Sequence, residues 1–217
     1  MKLKISISAL AVLLAISLSS AAQDMPRFRW ENFTTANGLP DNHVFCVLVD
    51  GNRVWAGTEN GLGLYQNGAW RIFRPATRDD QQGLTHQAVL SLAVDKRTGD
   101  VWAGTMGGLN RISAGRIDNF TQLNSGLSND IVYGVGVQGD FVWTATAAGA
   151  SRLDTRTGQW ALFNERNTPM FEIWTYAVGP AADKVYYAVW GGACSNTMSP
   201  PNAGKTTTTP TAKPRWC

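Results

Sequence analysis

Seven polar side chains that could bind a ligand or move a proton lie in short loops of the sequence: Asp41, Asn42, His43, His86, Gln87, Asn129 and Asp130. An imidazole can act as a general base or a metal ligand, and carboxylates and amides can hold a polar substrate. No close metal-ligand spacing and no Ser/His/Asp order accompanies the two histidines. The sequence therefore predicts no catalytic residue, no metal site and no cofactor. Asn and Asp also bond to their own backbone in turns, and that structural role stays open as the alternative.

These loops belong to a repeat whose most regular part is a nine-residue phrase. It occurs at residues 54–62 (VWAGTENGL), 101–109 (VWAGTMGGL), 142–150 (VWTATAAGA) and, in degraded form, 185–193 (VYYAVWGGA). A fixed period in this range indicates a solenoid, a propeller or another repeat array. The aromatic anchors of the phrase recur at intervals of 47, 41 and 43 residues, at Trp55, Trp102, Trp143 and Tyr186.

Each repeat contains four short apolar or β-branched runs separated by turns such as Asp50-Gly51 and Asn67-Gly68. Four antiparallel strands per ~40–45 residues form one propeller blade. The sequence predicts an all-β fold, a partial β-propeller of about three and a half four-stranded blades that open near residues 38, 83, 126 and 168. Residues 28–33 resemble the last strand of a blade, and we expect this N-terminal strand to complete the final blade of a closed ring.

The phrase itself is predicted to be structural. We expect its four aromatic anchors to pack between blades, because buried aromatic rings dominate core energetics. Gly57 with Thr58, and Gly104 with Thr105, bound the strand, and the glycines are predicted to allow close backbone approach. In a propeller the loops that enter the innermost strands meet beside the central channel. The seven polar residues would therefore converge there on a polar ligand.

The N-terminus and the charge balance limit the compartment and the partners. Lys2 and Lys4 precede an apolar run and Ala21-Ala22, which is typical of a secretory signal peptide. Residues 1–22 are predicted to be this signal, cleaved near Ala22, leaving a periplasmic or secreted product without a membrane span. Of 19 basic residues, five lie in residues 1–22 and 193–217, which leaves 14 basic against 16 acidic side chains in residues 23–192. No nucleic-acid surface is therefore expected. The three cysteines define no disulfide framework.

The repeat resembles the two-component regulator propeller repeat. The resemblance covers roughly residues 28–192 and rests on the opening Gly-Leu pair, the turn aspartate and the V-W-x-G-T-x-x-G-L phrase, as at Gly38-Leu39, Asp50 and residues 54–62. The third copy departs from the pattern at Ala145 and Ala150, and the fourth keeps only its skeleton. In that family the repeats form periplasmic sensor regions, often ahead of a membrane-spanning kinase, that bind ligands including carbohydrates.

The resemblance implies a non-enzymatic, sensor-type module whose partner is a polar small molecule, a glycan or a periplasmic protein. A propeller lyase or hydrolase acting on a polysaccharide or similar polar substrate is the alternative, as is a protein-interaction scaffold. Because propellers close with four to eight blades, we expect the chain to be a truncated ring with an exposed strand edge.

Residues 193–217 lack strand signals and are rich in Thr and Pro, so they are predicted to be a non-propeller tail. Two interpretations stay open, a secreted linker and translation out of frame. Shifting the codons of residues 194–201 by one nucleotide permits Val-Leu-Glu-Tyr-Asp-Val-Ala-Thr, which matches the expected third strand and turn. The gene's nucleotide sequence decides, because early stop codons in the shifted frame exclude the out-of-frame interpretation.

Overall fold

A computed structural model of the chain describes residues 29–78, 82–168 and 170–197. The chain divides into two units, Met1–Asn32 and Phe33–Cys217. The described residues of the first unit, 29–32, contain no helix or strand. The predicted signal peptide, residues 1–22, and the part of the predicted tail after residue 197 lie outside the described residues.

The second unit is built of β-strands, together with a short 3-10 helix at Thr35–Asn37. Its strands form four antiparallel sheets, each of which is one blade. Blade 1 is β1 (Val44–Asp50), β2 (Arg53–Thr58), β3 (Gly61–Gln66) and β4 (Ala69–Phe73). Blade 2 is β5 (Val89–Val94), β6 (Val101–Thr105), β7 (Gly108–Ser113) and β8 (Arg116–Phe120). Blade 3 is β9 (Val132–Gln138), β10 (Phe141–Thr146), β11 (Gly149–Asp154) and β12 (Trp160–Phe163). Blade 4 is β13 (Thr175–Ala181), β14 (Lys184–Val189) and β15 (Gly192–Thr197).

The strands of every blade follow one another in chain order, each pairing with the next. The first strands β1, β5, β9 and β13 lie innermost, where neighbouring blades pack against each other. The prediction of an all-β partial propeller is confirmed, with three four-stranded blades and a three-stranded fourth blade among the described residues.

Two predicted boundaries change. Strand β15 continues to Thr197 and pairs along its length with β14, so the repeat extends five residues beyond the predicted end at residue 192. Backbone hydrogen bonds hold this strand, and they need no strand-forming side chain. Conversely, residues 29–33 form no strand, although residues 28–33 carry the pattern of one. A strand needs a hydrogen-bonding edge beside it, and side-chain pattern alone does not supply that edge.

One tryptophan of the phrase is buried at each contact between successive blades. Trp102 is 1% exposed and packs in one cluster with Val132 and Val142 of the next blade. Trp55 and Trp143 hold the same place at the contacts on either side. Every anchor tryptophan therefore points forward along the chain, from the front face of its own blade into the back face of the following one.

The prediction that Tyr186 packs in the same way is wrong. Tyr186 is 48% exposed, because no described residue forms a further blade in front of blade 4. The neighbouring Tyr187 is 2% exposed instead and faces backward, with its ring 6.4 Å from that of Trp143.

The glycine of the phrase leaves no room for a Cβ atom beside its cross-strand neighbour on the innermost strand. A Cβ added to Gly104 would lie 2.5 Å from Ser91 Oγ and 2.8 Å from the carbonyl oxygen of Val132 in the next blade. In blade 3 the arrangement is reversed. Ala145 occupies the glycine position of the phrase, and the residue that pairs with it on the innermost strand is Gly134. Backbone and side chains thus approach closely at this position, and in blades 1 to 3 each pair carries a single side chain.

This close packing predicts a position-specific cost. Gly104→Ala should lower the free energy of unfolding by about 1–3 kcal/mol, because the new methyl group overpacks the blade contact. Gly179→Ala is the matched control, since a Cβ there meets no atom within 4 Å. Its effect should stay within about 0.5 kcal/mol in urea unfolding. Equal losses at the two positions would contradict the close approach.

Candidate functional site

The threonine of the phrase builds the turn between the second and third strands. In blade 1, Thr58 Oγ1 donates to the carbonyl of Gly61 at 2.7 Å and accepts the backbone N–H of Asn60 at 3.2 Å. Thr105 and Thr146 make the same two bonds in their blades. All three threonines are fully buried, so the turn is fixed in the same way in three successive blades.

Two of these threonines, Thr105 and Thr146, also bond to the loops that enter the innermost strands. We call these the opening loops, residues 40–43, 85–88, 128–131 and 171–174. Thr105 Oγ1 lies 2.9 Å from Thr85 Oγ1, and Thr146 Oγ1 lies 2.8 Å from Ser128 Oγ. The fully buried Asn110 also accepts the backbone N–H of Thr85 at 2.8 Å. The scaffold phrase therefore positions the loops that carry the predicted site residues.

The second residue of the first three opening loops caps its own loop. Asp41 Oδ1, His86 Nδ1 and Asn129 Oδ1 each accept the backbone N–H of the residue two positions later, at 2.8, 3.0 and 2.8 Å. This is the turn chemistry that the sequence left open as the alternative. These three side chains thus have a structural task, whatever else they contact.

The third residue ties each opening loop to its surroundings. Asn42 Oδ1 accepts the backbone N–H of Thr35 at 2.9 Å, and Asp130 Oδ1 accepts that of Gln122 at 2.7 Å, so each ties its loop to the segment that precedes it. Gln87 is exposed, and its carbonyl accepts the N–H of Gly61 in blade 1 at 2.7 Å. The loops therefore form a connected, rigid end of the propeller.

The last residue of each opening loop forms a cross-strand pair. Its partner is the first residue after the second strand of the same blade. In each blade the backbone N–H of the second member donates to the carbonyl of the first, at 3.0–3.2 Å. We call these four cross-strand pairs the mouth pairs, because they lie at the end of the blades that the opening loops form. They are His43 with Glu59, Ala88 with Met106, Ile131 with Ala147, and Trp174 with Trp190.

The first mouth pair is charged. His43 Nδ1 lies 2.5 Å from Glu59 Oε2, and the hydrogen bond and charge of Glu59 raise the pKa of His43, with a smaller contribution from Asp41. Ligand atoms of Asp41, His43 and Glu59 all lie within 4.8 Å of one another, whereas His86 is not part of this group. One ligand atom of each already takes part in a hydrogen bond of the loop.

The last mouth pair begins an exposed aromatic cluster. The rings of Trp174 and Trp190 meet edge to face with centroids 6.4 Å apart, and Tyr176 lies 6.0 Å from Trp190. Tyr133 of blade 3 extends the cluster, 5.1 Å from Tyr176. Trp174 and Trp190 are 51% and 63% exposed, so they present aromatic surface to solvent.

A bulge in every innermost strand places the tyrosines of this cluster. The pairing register shifts at the second residue of each innermost strand, at Phe45, Leu90, Tyr133 and Tyr176. Bulges re-aim side chains and are frequent beside functional sites. The four blades therefore carry a ring of apolar residues immediately below the mouth pairs.

Glu59 and the aromatic cluster were not among the residues predicted from the sequence. Asn167 and Thr168 lie in the turn before the fourth opening loop, where Asn167 Oδ1 accepts the N–H of Asn164 at 3.0 Å. An alignment of the repeats contains the signal that identifies these residues. Glu59 directly follows the threonine of the first phrase, and Trp190 is at the corresponding position of the fourth.

Comparison with known proteins identifies the repeat. Residues 38–60, which contain the first opening loop and most of the first phrase, match the model of the two component regulator propeller family. The first repeat of the chain is thus similar to the two component regulator propeller repeat. No curated protein gives a significant match to the sequence.

Solved structures share the fold at low sequence identity. The extracellular domain of a hybrid two component system from B. thetaiotaomicron is 20% identical with a TM-score of 0.70, over 77% of this chain and 25% of that one. A second extracellular domain of this kind from B. thetaiotaomicron is 19% identical with a TM-score of 0.55, over 70% and 20%. An ancestral GH74 enzyme is 17% identical with a TM-score of 0.52, over 70% and 22%. The chain thus spans a quarter or less of each, and the likeness establishes the propeller fold alone.

The charged mouth pair predicts a measurable titration. Because Glu59 favours the protonated imidazole, the stabilising pair forms fully below the ordinary His pKa of 6.5 and is lost as pH rises through the raised pKa of His43. Glu59→Gln should lower the pKa of His43 towards 6.5 in an NMR titration of the ring. Asp41→Asn should produce the smaller decrease. An unchanged His43 midpoint in the Glu59→Gln variant would contradict the pair.

Proposed function

We propose that the chain is a non-enzymatic, sensor-type propeller module that acts outside the cytoplasm and binds a polar small molecule or a glycan at the mouth pairs. One observation carries this proposal: equivalent positions of the partial propeller bear an exposed aromatic cluster in blade 4 and an exposed charged pair in blade 1. Exposed aromatic rings held in place by a backbone scaffold are a binding feature, because folding alone would bury them.

The aromatic cluster suits the face of a sugar ring. Trp190, Trp174 and Tyr176 offer large apolar faces with two side-chain torsions each, so little conformational entropy is lost when a ligand packs on them. Tyr and Trp also keep a polar group that can bond to hydroxyls at the edge of the ligand. A glycan has apolar ring faces and polar edges, and it matches this combination.

The charged pair offers polar groups at the other end of the row of mouth pairs. His43 and Glu59 are 76% and 54% exposed at their side chains, so each can exchange water for a ligand hydroxyl. Exposed Gln87 adds an amide in the adjacent opening loop. A few polar groups beside an apolar surface are the usual composition of a small-molecule site.

Export is proposed from the predicted signal peptide at residues 1–22 and from the extracellular location named for two of the similar structures. Among the described residues, no helix is long and apolar enough to cross a membrane. A periplasmic protein is the other partner class that the repeat resemblance implies.

Hydrolysis is the competing activity, since one similar structure is an enzyme. The acids nearest the mouth pairs, Asp41 and Glu59, hold the His43 backbone N–H and its imidazole ring, at 2.8 and 2.5 Å. Both carboxylates therefore already hold the loop through hydrogen bonds, whereas a glycosidase needs two carboxylates that flank the scissile bond.

A glycan array followed by calorimetric titration tests the proposal on the intact chain. We expect one or more neutral glycans to bind, and Trp190→Ala to weaken binding at least tenfold through loss of the stacking face. His43→Ala should weaken it less, because the pair is solvated. Leu123→Ala is the matched control, since Leu123 is 97% exposed on the linker between blades 2 and 3 and should leave affinity unchanged.

Each alternative gives a distinct result in the same experiment. Unaltered affinity in Trp190→Ala would place the ligand elsewhere, and absence of binding across the array would contradict the glycan proposal. Release of reducing sugar that is abolished in Glu59→Gln would identify a hydrolase instead.

A further inference from the structure

The back face of blade 1 has the composition of a buried blade face but lies open. Val44 and Val47 of β1 are 41% and 62% exposed. Their counterparts in blade 3, Val132 and Val135, are 0% and 9% exposed because Trp102 of blade 2 packs on them. Val49, also 62% exposed, extends the open strip. The strip therefore matches a surface that accepts the front face of another blade.

The front face of blade 4 carries the complementary half of that contact. Tyr186 occupies the anchor position and is 48% exposed, whereas Trp143 at the same position of blade 3 is 1% exposed. Ala188 and Ala177 pair across β14 and β13 beside it, and both are exposed. Small residues next to one aromatic ring also form the front faces of the blades before it, as Ala145 does beside Trp143.

Phe33 marks the place of a preceding blade. Its ring packs against Trp70 of blade 1 with centroids 5.6 Å apart. The same contact occurs between Phe120, which ends the outermost strand of blade 2, and Trp160 of blade 3, at 5.9 Å. Phe33 thus stands where the final phenylalanine of a blade in front of blade 1 would stand.

We propose that two copies of this chain close a single ring, with blade 4 of each copy packed against blade 1 of the other. Both halves of one interface lie on the same chain, and their internal template occurs three times within it. Such a head-to-tail contact formed twice around one axis is a closed arrangement. Two copies supply eight blades, which is within the range in which propellers close.

In the closed ring, blade 4 of one copy also meets the start of the repeats in the other copy. Blade 4 has three strands among the described residues, with β15 last in the sheet order. Residues 28–33 of the other copy carry the sequence pattern of an outermost strand and would lie beside β15. The contact therefore covers the apolar faces of both terminal blades, and exposed apolar faces otherwise lead to aggregation.

Sedimentation velocity of the intact chain over a range of concentrations tests this proposal. We expect a dimer, and we expect both Val47→Glu and Tyr186→Glu to be monomeric, since each places a charge in the apolar contact. Leu123→Glu, on the exposed linker, should remain dimeric. Circular dichroism should show unchanged strand content in all three variants, which separates loss of assembly from loss of folding.

Mixing the two monomeric variants distinguishes this contact from any symmetric one. A mixed pair keeps one junction in which both faces are unaltered, so the mixture should recover a dimer. A monomeric unaltered chain would overturn the proposal, as would assembly into open polymers. A dimer that survives either face variant would also overturn it.

Discussion

The packing of one tryptophan per blade against the following blade is the interaction on which the rest of the structure depends. A four-stranded sheet alone exposes both faces, and each face here becomes stable only when the next blade covers it. Burying an aromatic side chain of about 150–250 Å² contributes about 4–6 kcal/mol at ~25 cal/mol per Å². Three such contacts hold blades 1 to 4 together, through Trp55, Trp102 and Trp143.

That constraint also fixes the candidate site. The phrase that carries each of these tryptophans ends in the threonine that ties its turn, and Thr105 and Thr146 are bonded to the opening loops of their own blades. The mouth pairs therefore vary in composition without a change in backbone. One scaffold presents His43 with Glu59 at one end of the arc and Trp174 with Trp190 at the other. Binding chemistry and blade packing are carried by different residues of the same repeat.

The repeat period and its turns were sufficient to predict the fold, because every blade repeats the same strand and turn signals. The roles of Trp55 and Gly104 followed from the same pattern. Tyr186 could not be predicted in the same way, since its exposure depends on whether a further blade covers it. Strand β15 was missed because backbone pairing with β14 holds it, and Thr/Pro-rich composition conceals that pairing.

The site was the part least accessible to sequence reasoning. The polar residues of the opening loops were predicted to bind a ligand. Of these, Asp41, His86 and Asn129 accept hydrogen bonds from the backbone of their own loops. The exposed aromatic cluster joins Tyr176 of β13, Trp174 of the opening loop and Trp190 of the turn after β14 with Tyr133 of blade 3, and the bulged register places the two tyrosines.

The unfolding free energy of Trp143→Ala tests the central claim most directly. Trp143 is 1% exposed between blades 3 and 4, and its truncation should cost about 3–5 kcal/mol in urea unfolding. The same change at Trp30, which is 92% exposed, should stay within about 0.5 kcal/mol. A loss below about 1 kcal/mol at Trp143 would contradict the claim that tryptophan packing between blades holds the structure together.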